Sequence, residues 1–260
     1  MLRKRGRFSV SKSEAVCVIP ARLESSRFPR KLLQTIEGKP LIQFVYENAK
    51  KAKRINRVMI ACDSEAMKEC VNSFGGEAIL TGAYHTSGTE RIAEVAKNLD
   101  SKLIVNLQGD EPLMHYEVVD QVVSALETDS SCMMSTACIQ KNDPEEFSNP
   151  NVVKVTKDKN GWALYFSRSP IPHDRDQRSH LYFKHLGIYG YRRDFLLQFP
   201  KLPASSLEQR EKLEQLRALE NGYRIKVVET VHDSIGVDTE ADFKLVKEQL
   251  ISQRAGAPHA

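Results

Sequence analysis

The sequence predicts an α/β fold with a mixed, mainly parallel sheet and an inserted antiparallel β arm. Two observations carry this. Short apolar runs alternate with amphipathic stretches through the first half, as in strand–helix units whose sheet is covered on both faces. In the second half, "KDKNG" places an Asn160-Gly161 turn between two strand-like runs, which signals a hairpin. At 260 residues the chain can bury a sizeable core in one large domain.

Residues 15–19 (Ala-Val-Cys-Val-Ile) read as a buried strand, and 41–52 as a helix with Leu41, Val45 and Ala49 on one face. Strand 57–62 follows, and then a helix to Phe74, capped by Asp63 or Ser64 and stopped by Gly75-Gly76. A short strand at 77–80, a polar loop from Gly82 to Thr89 and a helix at 90–99 lead into strand 103–107. Helix 116–127 and strand 132–139 complete the alternating half. The arm, about 150–191, holds strands 152–156 and 162–167, a polar loop from Ser169 to His180 and strand 184–191. Trp162, the single tryptophan, is assigned to packing of the hairpin. One helix over 206–220, capped by Ser206 and stopped at Asn221-Gly222, precedes strand 224–229 and a last helix 240–251. The expected organisation is a basic extension at 1–13, one domain over 14–252 and a flexible tail at 253–260.

Composition excludes several classes of protein. Hydrophobic residues make up 41% and charged residues 28%, an ordinary water-soluble balance. No apolar run approaches the roughly 20 residues of a membrane helix, so no membrane insertion is expected. No apolar segment follows the basic start, so a cytoplasmic location is expected. The five cysteines lack CxxC spacing and support neither a zinc site nor a disulfide framework. A net charge of +4 is too small to imply nucleic acid.

Open α/β sheets bind ligands beyond the carboxyl ends of their strands, and three loops there are chemically loaded. Pro20 to Lys31 packs Arg22, Arg27, Arg30 and Lys31 into one segment, while "QGDEP" (108–112) and "GVDT" (236–239) each bring acids. Cations for phosphate oxygens and carboxylates for a hard divalent ion are what a nucleoside triphosphate with Mg2+ requires. Taken singly, these loops also fit a solvated patch, a charged turn and a helix cap. With neither a Walker A pattern nor GxGxxG, a P-loop or dinucleotide fold is disfavoured. His173, His180 and His232 read as ordinary histidines.

Several motifs occur in a familiar order: "IPARLESSRFPRKLL", "SGTERIAE" (87–94), "NLQGDEPL" (106–113), "NPNVVKV" (149–155), "ALYFSRSPIPHDRD" (163–176), "KHLGIYGY" (184–191), "LEQLRAL" (213–219) and "GVDT". From about residue 15 to 250 the chain resembles the 3-deoxy-manno-octulosonate cytidylyltransferases, the CMP-Kdo synthetase family. The resemblance implies a three-layer nucleotidyltransferase fold, Rossmann-like and glycosyltransferase-A-like, and a homodimer. It also implies transfer of CMP from CTP to the anomeric hydroxyl of the sugar acid Kdo, with Mg2+ as cofactor, for lipopolysaccharide biosynthesis. By the same resemblance Arg22, Ser25, Arg27 and Lys31 hold the triphosphate, Pro20, Ala21 and Gln108 seat the nucleoside, and Asp110 and Asp238 bind metal. Arg91, Arg168, His185, Tyr189, Glu214 and Gln215 are the sugar-binding candidates. Nothing in these motifs separates Kdo from its 8-amino analogue or another sugar acid. One departure stands out: the family commonly has Gly-Lys-Pro-Leu where this chain has Arg30-Lys31-Leu32-Leu33. Arg30 therefore lacks glycine's access to positive φ, and its side chain is expected to project into solvent.

Overall fold

The computed structural model describes residues 15–25, 27–176 and 181–255. The predicted extension at 1–13 lies outside the described residues. So does the tail beyond 255; residues 253–255 continue the last helix.

In chain order the elements are β1 (Ala15–Ala21), β2 (Thr35–Ile36), β3 (Lys39–Pro40), α1 (Leu41–Ala49), β4 (Ile55–Cys62), α2 (Glu65–Ser73) and β5 (Ala78–Leu80). Then come α3 (Gly88–Ala96), β6 (Leu103–Leu107), α4 (Tyr116–Thr128), β7 (Met134–Asn142), α5 (Pro144–Ser148), β8 (Lys154–Lys157) and β9 (Ala163–Ser167). The chain finishes with β10 (Leu181–Arg192), α6 (Arg193–Gln198), α7 (Ser206–Glu211), α8 (Gln215–Glu220), β11 (Ile225–Thr230) and α9 (Glu240–Ala255).

The main sheet runs β11-β7-β10-β6-β1-β4-β5. Only β10 along that path is antiparallel to its neighbours, so the sheet is mixed and mainly parallel. The strand β1 shows why a parallel strand reads as continuous apolar sequence. Ala15, Cys17, Ile19 and Ala21 point to the layer of α1, α2, α4 and α9, while Val16 and Val18 enter the layer holding α3, α6 and α8. Both faces are covered, so every residue of β1 is buried. The caps are local: Ser64 accepts from the Met67 amide to start α2, and Ser87 from the Glu90 amide to start α3.

Of the predicted arm, about 150–191, the β8–β9 hairpin pairs with the outer half of β10 through Phe183↔Val155 and Lys184↔Lys154, whereas β10 itself, expected as an arm strand, runs inside the main sheet between β7 and β6. Trp162 precedes β9 and is buried, with Arg224 over its ring at 3.9 Å. Between Leu186 and Tyr189 the register of β10 against β7 slips by a bulge. Bulges re-aim side chains, and this one lies between His185 and Tyr189, both of which line a cleft.

Besides shifted ends, and β2, β3, α5 and α6, which were not among the expected elements, one element differs in kind from its expectation. The predicted helix 206–220 is two helices, α7 and α8, broken at Lys212, whose φ of 54° is left-handed. The cap of α7 is Ser205, not Ser206, in a capping box with Glu208. Tertiary pairing holds the break: Arg217 returns from α8 to Glu208 at 2.6 Å, and Glu220 accepts from the Leu207 amide at 2.9 Å. Helix periodicity in the sequence carries no record of such a fold-back.

Candidate active site

The carboxyl ends of β1, β6 and β11 bring the three loaded loops together. Gly109 allows the close approach of the first two: a Cβ there would stand 2.9 Å from the Pro20 carbonyl oxygen. The Val237 amide donates to the Asp110 carbonyl at 2.8 Å and ties the third loop to the second.

Lys31 is the centre of this junction. Its ammonium donates to Asp110 Oδ2 at 2.5 Å, Asp238 Oδ1 at 3.1 Å and the Val237 carbonyl at 2.8 Å. Arg27 reaches the other Asp238 oxygen at 3.0 Å. Burial disfavours the Lys31 charge, but the two carboxylates outweigh it and hold the ammonium above its ordinary range. Asp238 faces the cleft because Thr239 takes the capping role at α9: its hydroxyl accepts from the Asp242 amide at 3.2 Å. Two carboxylate oxygens thus converge on one cationic position, an all-oxygen donor set suited to a hard divalent ion. Asp110 and Asp238 fit Mg2+ on that observation.

Arg30 adopts φ 51°, the left-handed conformation that glycine would take there. Its side chain is exposed and pairs with Glu24 at 3.4 Å, so it projects into solvent. Strain of about 1 kcal/mol is the ordinary cost of such a backbone for a non-glycine residue.

Three confluent cavities open from the junction. One, about 340 Å³, is lined by Pro20, Arg22, Ser25, Lys31, Gln108 and Asp110 among others. Ala21 is buried at the end of β1 behind it. A second, about 420 Å³, shares Gly88 and Gln108 with the first and is lined by Arg168, His185, Tyr189, Glu214, Gln215 and Asp238. Five of the six sugar candidates therefore surround one space. Arg91 is not among its lining residues: it is buried, and its guanidinium donates to Thr81 Oγ1 at 2.6 Å and to the Gly82 carbonyl at 3.2 Å. The third cavity, about 760 Å³, continues past Asp238 and Gly187 to the arm.

Around the second cavity the polar groups are set for a ligand. The buried Gln215 Nε2 has no hydrogen-bond partner among the described residues. Buried amides are rarely left this way, so the orphan donor marks a position for an oxygen. Burial holds the Glu214 carboxyl above its usual range, although the Thr89 hydroxyl donates to it. Arg168 is braced by its Nε on the Glu211 carbonyl at 2.7 Å.

His185 pairs with Thr136 Oγ1 at 2.9 Å, and desolvation pushes its pKa down to about 3. An unfolded histidine titrates near ~6.5. Between those values the unfolded chain takes a proton that the native chain refuses, so stability falls as pH falls through that window. His185→Gln is expected to remove about 2–3 kcal/mol of the acid destabilisation between pH 7 and 4.5, measured by urea unfolding at both pH values. An unchanged pH slope would contradict a neutral His185.

Sequence reasoning missed Glu111. Its carboxyl lies between the Gly187 and Gly236 backbones, accepts from the Ser234 hydroxyl, and is pushed up to about 7 by burial. The "GDEP" motif contained it, but only the neighbouring acid was selected. Lys212, which lines the second cavity, carried no signal because its left-handed backbone depends on the α7–α8 break.

A cation-lined cleft with paired acids at the carboxyl edge of a mainly parallel sheet defines a nucleotide-handling α/β protein. The comparisons agree: the cytidylyltransferase family profile matches residues 16–230, and the chain belongs to that family. Within it, the chain is 50% identical over 244 residues to the 3-deoxy-manno-octulosonate cytidylyltransferase of Geotalea uraniireducens, covering 90% of this chain and 97% of that one. A solved CMP:2-keto-3-deoxy-manno-octonic acid synthetase complexed with CTP superposes at a TM-score of 0.88 with 41% identity, covering 93% of this chain and all of that one. The 4-diphosphocytidyl-2C-methyl-D-erythritol synthase of Anaerococcus prevotii, at 15% identity and a TM-score of 0.63, covers 92% of this chain and 97% of that one and shares the fold. Among the described residues no helix is long and apolar enough to cross a membrane.

Proposed function

We propose that this chain is a 3-deoxy-manno-octulosonate cytidylyltransferase that transfers CMP from CTP to Kdo, releasing pyrophosphate. The observation that carries this is the confluence of a cation-lined cavity with a polar one at Asp110, Asp238 and Gln108. Arg22, Ser25, Arg27 and Lys31 take the triphosphate, and Pro20, Ala21 and Gln108 take the nucleoside. Arg168 pairs with the Kdo carboxylate, while His185, Tyr189, Glu214 and Gln215 meet its hydroxyls. Arg91, turned to Thr81 and Gly82, is given no contact with the sugar in this reading.

The anomeric oxygen of Kdo forms a bond to the α-phosphorus of CTP as the bond to the pyrophosphate oxygen breaks, and the hydroxyl proton leaves to solvent. The chain's work is positioning and charge stabilisation: its cations neutralise the departing pyrophosphate, and its acids orient the reacting ends. Mg2+ held by Asp110 and Asp238 supplies charge neutralisation on the phosphates. The free cysteines, four of them buried, suit a reducing cytoplasm. The exposed Leu164 and Leu181 on the arm support a homodimer built there.

The test is pyrophosphate release from CTP with Kdo, its 8-amino analogue and sialic acid, with and without Mg2+. Activity only with the amino sugar or sialic acid would overturn the acceptor. Glu214→Gln is expected to raise KM for Kdo about tenfold, the loss of one charged hydrogen bond, and leave KM for CTP unchanged. An equal rise in both would remove Glu214 from the sugar site.

A further inference from the structure

On the far side of the acid-bearing loops, three groups of different chemistry meet. His115 caps α4, Glu117 lies in its first turn, and His232 comes from the loop after β11. The two imidazoles stack at 3.8 Å between centroids with 15° between planes. Glu117 Oε2 lies 2.9 Å from His232 Nε2. One ligand atom from each of the three falls within 4.8 Å of the other two. His115 accepts one long bond, 3.3 Å, from the Glu117 amide, which coordination through that nitrogen would replace.

We propose that His115, Glu117 and His232 form a binding site for a borderline-soft divalent transition ion of the Zn2+ class, separate from the two catalytic acids. The donor set is two imidazoles and one carboxylate, which suits Zn2+, Cu2+ or Ni2+ and discriminates against Mg2+. Tetrahedral bonds of about 2.0–2.1 Å require the ligand atoms to close by roughly 1.5 Å and the stacked rings to tilt apart until both lone pairs face the ion, and they leave a fourth position for water. The Glu117 side chain is 53% exposed, so an ion has a path in.

The location gives the site a consequence. His115 follows Asp110 and Glu111 on one loop, and His232 precedes Ser234 and Asp238 on the other. Those loops are joined by the Val237–Asp110 backbone bond and by the Ser234 hydroxyl on Glu111. A bound ion adds a cross-link between the two segments that carry the catalytic acids.

Zn2+ binding by the full chain is measured by competition with a chromophoric chelator and by thermal unfolding. One ion per chain is expected, with a rise in Tm at saturation. His232→Ala, Glu117→Gln and His115→Asn, the last keeping a capping side chain, are each expected to weaken Zn2+ by about 10²-fold or more, since even an outer partner of a metal ligand is worth about 10–100-fold. The Asp110→Asn/Asp238→Asn double variant is expected to retain it, and millimolar Mg2+ is expected not to compete. Absence of Zn2+ binding, unchanged affinity in His232→Ala, or loss in the double asparagine variant would each overturn the site.

Discussion

Asp110→Asn is expected to lower kcat/KM for CTP by about 10³-fold, the loss typical when a preorganised charge partner of a reacting centre is removed. The substitution is isosteric, and Asp110 sits half-buried at the mouth of the cleft, so the fold is retained. Its carboxylate lies 2.5 Å from Lys31 and, among the described residues, is one of two acids meeting at that ammonium. Removing it halves the negative charge available to a divalent ion, so the Mg2+ concentration for half-maximal rate rises as well. Asp238→Asn changes both quantities in the same direction but less, because Asp238 is more exposed and already shares a charge with Arg27. Pyrophosphate release across a Mg2+ titration reads both effects, with circular dichroism to confirm folding. Wild-type turnover in both variants would remove the acids from the metal role.

Lys31→Met is expected to separate two properties that would otherwise fall together. It keeps an unbranched apolar stem and deletes the ammonium. CTP turnover is expected to fall by about 10²–10³-fold, because the cation proposed to meet the triphosphate is gone. Mg2+ binding without nucleotide instead tightens, because the ammonium and the metal compete for the same two carboxylates. Isothermal titration with Mg2+ measures the second effect. Weaker binding in the variant would show that Lys31 supports the metal site rather than opposing it.

How much was legible in the chain follows from the range of the interactions involved. The expected strand 103–107 coincides with β6 because both faces of this strand are buried, and burial on both faces leaves a nearly unbroken apolar run. The cap at Ser64, one of the two candidates, has its partner three residues away, so its pattern lies in adjacent letters; Ser87, expected in the polar loop, caps a helix that begins at Gly88 rather than at 90. The α7–α8 break does not: Lys212 takes a left-handed backbone because Arg217 and Glu220 fold back on α7. Arg30 makes the same point in reverse. Residue type argued against a positive φ, yet the loop imposes one and leaves the side chain outside with Glu24.

The candidate site divides along the same line. Its residues were named through resemblance to the family, since cations and acids at strand ends, taken singly, also fit a solvated patch, a charged turn or a helix cap. The sequence by itself determined the mixed sheet, the three loaded loops and the family they resemble. Only the tertiary structure decided that Lys31 stands between Asp110 and Asp238, that Thr239 frees Asp238 by taking the cap, that Glu111 is buried against two glycines, and that Arg91 is buried with its guanidinium on Thr81 and Gly82. Each of those depends on which loops meet across the sheet edge. Such meetings join residues far apart in the chain, and no local pattern encodes a distance between them.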